Sequence, residues 1–236
     1  MKTIGLIGGM SWESTAVYYR LINEAVRRAR GGLHSAEIAL RSLDFTRVVE
    51  LQKAGRWDDA GTLLGAAGAG LARSGASCVL ICTNTMHLVA GPVAAMSGVP
   101  LIDIIDETAL ALRADGRRRP LLLATSYTME HGFYADRMAS HGINVAVPQA
   151  NDRGVVHDII FSELCQGVVR DASRARYLSI IEAARSQGID SVILGCTEIS
   201  LLLDPAGLPV PGYDSTAIHA AAAVRFALAD TRERAA

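Results

Sequence analysis

The chain has 236 residues, of which 50% are hydrophobic and 20% charged, with a formal net charge of −1. That length fits one large α/β domain or two small ones, with ample apolar material for a core. The near-neutral balance excludes the basic excess expected of a nucleic-acid or anionic-membrane binder, and no apolar run reaches the ~18 residues of a membrane span. The four cysteines form no disulfide framework, and "TIGLIGG" at 3–9 is too short and glycine-rich for a signal segment. The chain therefore reads as a reducing, cytoplasmic protein with free thiols.

Strand and helix signals alternate in chain order. "KTIGLIGG" reads as a buried strand ending in glycines. Ser11 is placed to cap the following helix, whose apolar face runs through Val17, Tyr18, Leu21, Ile22, Ala25 and Val26. "AEIALRSLD" is a strand. "WDDAGTLLGAAGAGLARSG" is a helix whose internal glycines point to close packing. "SCVLIC" is a strand, "HLVAGPVAAM" a short helix interrupted by Pro92, and "PLIDII" a strand followed by a helix over 106–114.

The pattern then restarts. "PLLLAT" is a strand, "TMEHGFYADRMASHG" one helix, and "INVAVP" a strand. Helices cover roughly 152–187. "SVILGC" is a strand, "EISLLL" a short helix, "PVPGYD" a short strand or connector, and "STAIHAAAAVRFAL" the last helix. Such βα alternation predicts an α/β fold of mostly parallel sheets flanked by helices. Aligning "SCVLICTN" with "SVILGCTE" pairs Cys82 with Cys196 and Thr83 with Thr197. The strand ends at Gly8 and Thr125 precede the two cysteines by similar distances. This duplication predicts two pseudo-symmetric lobes, 1–115 (completed by a C-terminal helix over 214–230) and 116–213, with an active site in the cleft between them.

In open parallel sheets, ligands bind beyond the carboxyl ends of strands. Cys82, Cys196, the Gly8–Ser11 corner and the Thr125–Thr128 corner all occupy such ends. If the lobes face one another, two thiols approach one small molecule from opposite sides. A thiol at a helix start is expected to titrate below its ordinary ~8.5. Asn84, Thr85 and Thr197 beside the cysteines, and Thr125 and Thr128 at the other corner, offer donors that suit a carboxylate. One thiolate base and one thiol acid suffice for proton transfer across a stereocentre, with no metal and no organic cofactor.

At these residues the chain resembles the aspartate/glutamate racemase superfamily, in its cofactor-independent amino-acid racemase branch. The resemblance rests on "GLIGGMSWEST", "CTNTMH", "YTME" and "GCTEI" and spans roughly residues 2–228. It implies catalysis by paired cysteines, Cys82 and Cys196, an amino-acid substrate and a homodimer; the glycine-rich helix over 61–72 also suggests tight packing. Aspartate-selective members carry "PDRT"-like residues where this chain has "DFTRVVELQ", and a lysine near "ELCQG", where it has Cys165 and Gln166. Arg47 stands in another register, so a broader substrate range is expected. Related superfamily enzymes, such as hydantoin racemases or decarboxylases, and a non-catalytic two-lobed binder are the competing readings.

Several residues carry a plainer alternative. Cys78 and Cys165 read as core or helix positions, and His87 and His219 as structural histidines, because no ligand spacing supports a metal. Glu198 reads equally as an orienter of Cys196 or an exposed first-turn acid. Met10 is assigned to the pocket and Trp12 to packing.

Overall fold

The structure is a computed structural model that describes residues 1–229; residue 230 of the predicted last helix lies outside them. Two compact units emerge. Unit 1 comprises residues 1–82, 89–103 and 219 onward; unit 2 comprises 83–88 and 104–218. Each is built on a parallel three-stranded sheet.

Unit 1 begins with β1 (Ile4–Gly8), buried throughout. Helix α1 (Trp12–Arg30) follows, with Ser11 accepting at its N-terminus from the Ser14 amide at 3.2 Å. Strand β2 (Ile38–Ser42) leads to α2 (Phe45–Lys53), capped by Asp44, and then to α3 (Trp57–Arg73) and β3 (Cys78–Ile81). Helix α4 (Ala90–Ser97) holds Pro92 in its first turn, where the missing amide proton costs nothing, so Pro92 does not interrupt it. The sheet order is β2-β1-β3. "PLIDII" yields only one bridge, Leu101 beside Val79, because the chain turns into a helix at Ile104. Helix α2 was not foreseen, since its "DFTRVVELQ" is mostly polar with a short apolar face. Cβ atoms at Gly61, Gly65 and Gly68 of α3 would press on Pro92, Met96 and Ser97 of α4. The glycines thus permit a close helix pair inside this unit.

Gly9 turns the chain out of β1 with φ +84°, and a Cβ there would overlap the Leu43 backbone. Neither the left-handed dihedral nor the backbone neighbour can adjust cheaply. Gly9→Ala is expected to destabilise the protein by roughly 2 kcal/mol or more, read as a lower urea midpoint at unchanged m-value.

Unit 2 takes α5 (Ile104–Ala114), although the sequence places that helix with the first lobe. Its apolar face, Ile104, Ile105, Ala109 and Leu112, shares a core with Tyr134 and Met138. Asp106 also accepts from Arg137 (2.6 Å) and His141 (2.8 Å), which holds its carboxyl below the usual range. Strand β4 (Pro120–Leu123) precedes α6 (Ser126–Glu130) and α7 (Phe133–Ser140). The single helix expected here breaks at Gly132, φ +80°. Ala146 contributes one bridge to Leu121 in place of a full strand. Helices α8 (Ala150–Ser162) and α9 (Asp171–Arg185), strand β5 (Ser191–Leu194), the short α10 (Ile199–Leu202), strand β6 (Gly212–Asp214) and α11 (Ser215–Leu228) complete the chain, the division falling within α11. The order is β4-β5-β6. Adding the two single-residue bridges gives the same four-position parallel order in both units, β2-β1-β3-Leu101 and Ala146-β4-β5-β6. The repeat in the sequence is therefore a repeat of topology.

Candidate active site

Cys82 is the first residue beyond β3. Its amide donates to the Ile7 carbonyl at 3.0 Å, as the last rung of the β1–β3 ladder. The side chain is fully buried with Ile4, Tyr18 and Leu80, and burial pushes its thiol far above the ordinary cysteine value. In unit 2 the equivalent rung runs from the Gly195 amide to the Leu123 carbonyl at 2.8 Å. In the ladder Cys82 therefore corresponds to Gly195, and Cys196 stands one residue further on than the sequence alignment places it.

Cys196 retains some solvent contact as a residue, yet its sulfur is densely surrounded. The thiol donates to Glu198 Oε2 at 2.9 Å. Glu198 is only 5% exposed, so the first-turn surface acid is excluded. Burial first, then the Glu198 charge and the neighbouring Cys165, raise the Cys196 thiol well above its usual value. Both thiols thus depart in the direction opposite to that expected from sequence. The helix after Cys196 is four residues long and the segment after Cys82 is a 3-10 turn over Thr85–Val89. Neither has a dipole able to outweigh desolvation.

The remaining candidates divide between the units. Met10 lies in unit 1, buried in the loop before α1. In unit 2, three buried hydroxyls form a triangle: Thr85 lies 3.0 Å from Thr125 and 3.0 Å from Thr128, which are 3.2 Å apart. Asn84 donates through Nδ2 to Ser215 Oγ at 3.1 Å, and Ser215 donates to the Leu194 carbonyl at 2.9 Å. Asn84 Oδ1 is buried without a hydrogen-bond partner among the described residues. A buried acceptor left so is costly unless a ligand or water supplies the donor. Thr197 pairs with Thr216 at 2.9 Å. Ser215 and Thr216 were not read from sequence. They start α11, and their apolar-looking context of alanines hides two hydroxyls that meet the end of β5.

His87 ties the turn that carries Asn84 and Thr85. Its Nε2 accepts from the Ile104 amide at 3.2 Å, so in the neutral ring Nδ1 carries the proton given to the Thr83 carbonyl at 2.8 Å. His219, in unit 1, links the Tyr18 hydroxyl (2.8 Å) to the Ile102 carbonyl (2.7 Å). Cys78 is buried in β3, its thiol pushed up to about 11 mainly by burial. Trp12 is 68% exposed, which overturns its assignment to packing. Arg47 is exposed on α2, in a surface groove of about 650 Å³ that it shares with Glu50, Arg56 and Asp59. Among the described residues, no three His, Cys, Asp or Glu side chains cluster to hold a metal ion, and no described helix is long and apolar enough to cross a membrane.

The chain is similar throughout to solved structures with these two sheets. A candidate Asp/Glu racemase from Yersinia pestis is 48% identical, with a TM-score of 0.91, over 97% of this chain and 100% of that one. An aspartate racemase homologue from Pyrococcus horikoshii OT3 is 32% identical, with a TM-score of 0.83, over 96% and 99%. The glutamate racemase of Aquifex pyrophilus, at 17% identity and a TM-score of 0.62 over 96% and 84%, shares the fold. The sequence profile of the Asp/Glu/Hydantoin racemase family matches residues 7–223, nearly the whole of both units, and the chain belongs to that family.

Proposed function

We propose that the protein is an amino-acid racemase in which Cys82 and Cys196 alternate as general base and acid at the substrate α-carbon. The observation that carries this reading is the buried Cys196–Glu198 hydrogen bond. A buried thiol with its own carboxylate can pass its proton to Glu198 and become a thiolate while the pair keeps one negative charge. The thiolate then takes the α-proton. Cys82, as the thiol, gives its proton to the opposite face and is left as the thiolate, so that the reverse turnover starts from Cys82. No organic cofactor or metal enters this scheme. Within unit 2, the Asn84 Oδ1 acceptor suits the substrate ammonium, while the hydroxyls of Thr85, Thr125, Thr128 and Thr197 suit its carboxylate. Met10 is proposed as a further substrate contact.

The proposed substrate range extends beyond the two acidic amino acids. Where aspartate-selective members carry a lysine, this chain has Cys165 and Gln166, neither of which brings a positive charge for a second carboxylate. A site built around a buried cation would reject neutral side chains strongly, because that cation would be left unpaired. The test incubates purified protein under reducing conditions with each L-amino acid in deuterated water, followed by chiral separation. Inversion with α-deuterium uptake is expected for at least one neutral or polar amino acid. Turnover of aspartate and glutamate alone would refute the broad range. No inversion of any of them would refute the racemase reading for the common amino acids.

A further inference from the structure

The corner that presents Thr125 and Thr128 is held from outside by a residue with no direct part in the proposed chemistry. Thr125 caps α6, its side chain accepting from the Thr128 amide. The first amide of that helix, Ser126, belongs to the donors that a helix cannot satisfy internally. It donates to His157 Nδ1 on α8 at 3.2 Å. An amide can only give its proton, so Nδ1 holds a lone pair and, in the neutral ring, the imidazole proton sits on Nε2. The ring is set by aromatic neighbours, edge-on to Tyr127 with centroids 6.0 Å apart and tilted on Phe161 at 4.8 Å.

We propose that His157 is a positioning residue: its neutral imidazole holds the α6 corner, and with it the hydroxyls of Thr125 and Thr128, and its protonation lets the corner go. Imidazolium carries protons on both nitrogens, so Nδ1–H would confront Ser126 N–H, donor against donor. Among the described residues, no other acceptor meets Ser126 N–H.

The surroundings favour the neutral ring. Burial holds His157 below the usual 6.5, against the charges of Asp158 on its own helix and Glu130 at the end of α6. Arg153 pairs with Glu130 at 2.8 Å and blunts that acid. His131 stacks on the far partner, Tyr127. Of the other acids around α8, Asp152 is engaged by Arg176 of α9, and Glu163 by Arg170 and Ser173. A folded-state value below the unfolded one means that the cap's contribution is complete above about pH 6.5 and is lost as pH falls through the folded value. The corner is therefore closed at neutral pH and opens in acid.

The part concerning the hydroxyls rests on their reading as carboxylate-binding groups; the hold on Ser126 does not. The test pairs two readouts on the full chain. Amide and imidazole NMR between pH 8 and 5 should show Ser126 N–H and the His157 ring moving with one shared midpoint below 6.5. In His157→Asn, Oδ1 takes the place of Nδ1 as a non-titrating acceptor, so the Ser126 shift should vanish while its exchange protection stays. In His157→Ala that protection should fall at every pH. For the amino acid turned over fastest, KM should rise about tenfold toward acid in the native chain, with kcat less affected, and the asparagine variant should flatten that rise. Titration of His157 with no response at Ser126 would overturn the proposal. A shared midpoint with a flat KM would uphold the hold on Ser126 and overturn the role of the two hydroxyls in binding.

Discussion

Serine at position 82 or at position 196 is expected to lower racemisation at least ~10³-fold, the range set by losing a general acid or base, with the fold retained and the urea midpoint lowered mainly at 82, where the hydroxyl would be buried among apolar side chains. An alcohol is too weak an acid to exist as its anion at neutral pH, and the shortened Cβ–O bond retracts the reacting atom. Each single variant should still exchange the α-hydrogen of the one enantiomer whose proton meets the surviving cysteine. Exchange without inversion separates two bases from one. Groups that act as a unit are not additive, so the double variant should racemise little worse than either single one. The two singles should also differ. Cys196 has a carboxylate at 2.9 Å, whereas burial is what raises the Cys82 thiol. Cys82→Ser, which keeps the Cys196–Glu198 pair, should therefore retain the faster residual exchange. Native-rate racemisation by Cys196→Ser would remove the two-base mechanism.

The parallel sheets and the internal repeat were legible because buried strands such as "GLIG", "CVLI" and "SVIL" are apolar at every position and end at abrupt small or polar residues. What escaped was decided by the partners of a segment. "PLIDII" has strand composition, but only Leu101 finds a strand to pair with, and Ile104 and Ile105 turn inward on α5. "TMEHGFYADRMASHG" has helical spacing, and one glycine at φ +80° splits it. Cys82, Cys196, Thr85, Thr125 and Thr128 could be singled out because strand ends are visible in sequence. Their protonation could not, since a thiol's environment is three-dimensional: the helix signal after Cys196 was real but only one turn long, and burial outweighs it. Glu198 was ambiguous for the same reason, as position in a first turn does not tell inward from outward. Ser215, Thr216 and His157 had no local signal at all. Each acquires its role from an element distant in sequence, as in the hydrogen bond from Ser126, 31 residues from His157.

The sharpest separation of proton holder from mere orienter comes at Glu198. Glutamine there keeps an oxygen able to accept from the Cys196 thiol, so the side chain stays oriented while its charge is lost. Since the carboxylate is one of the causes that raise Cys196, the variant thiol should titrate lower, although burial keeps it above the ordinary value. Iodoacetamide labelling of Cys196, followed by mass spectrometry between pH 7 and 10, should therefore show a midpoint shifted to lower pH and faster labelling at any pH below it. Racemisation should move the other way. Without a carboxylate to hold the thiol proton, Cys196 can become a thiolate only by sending that proton to solvent, and the neutral pair must then acquire a buried charge that the native pair already carries. The loss in kcat/KM is expected at roughly 10²-fold and equal in the two directions, because the enantiomers are equal in free energy and their equilibrium constant stays at one. Glu198→Asp, with a shorter carboxylate, should recover part of it. A more reactive thiol joined to a slower enzyme is the signature of a proton holder. If Glu198→Gln labels faster and also racemises faster in both directions, the carboxylate is a brake on the thiol, and the proton route through Glu198 falls.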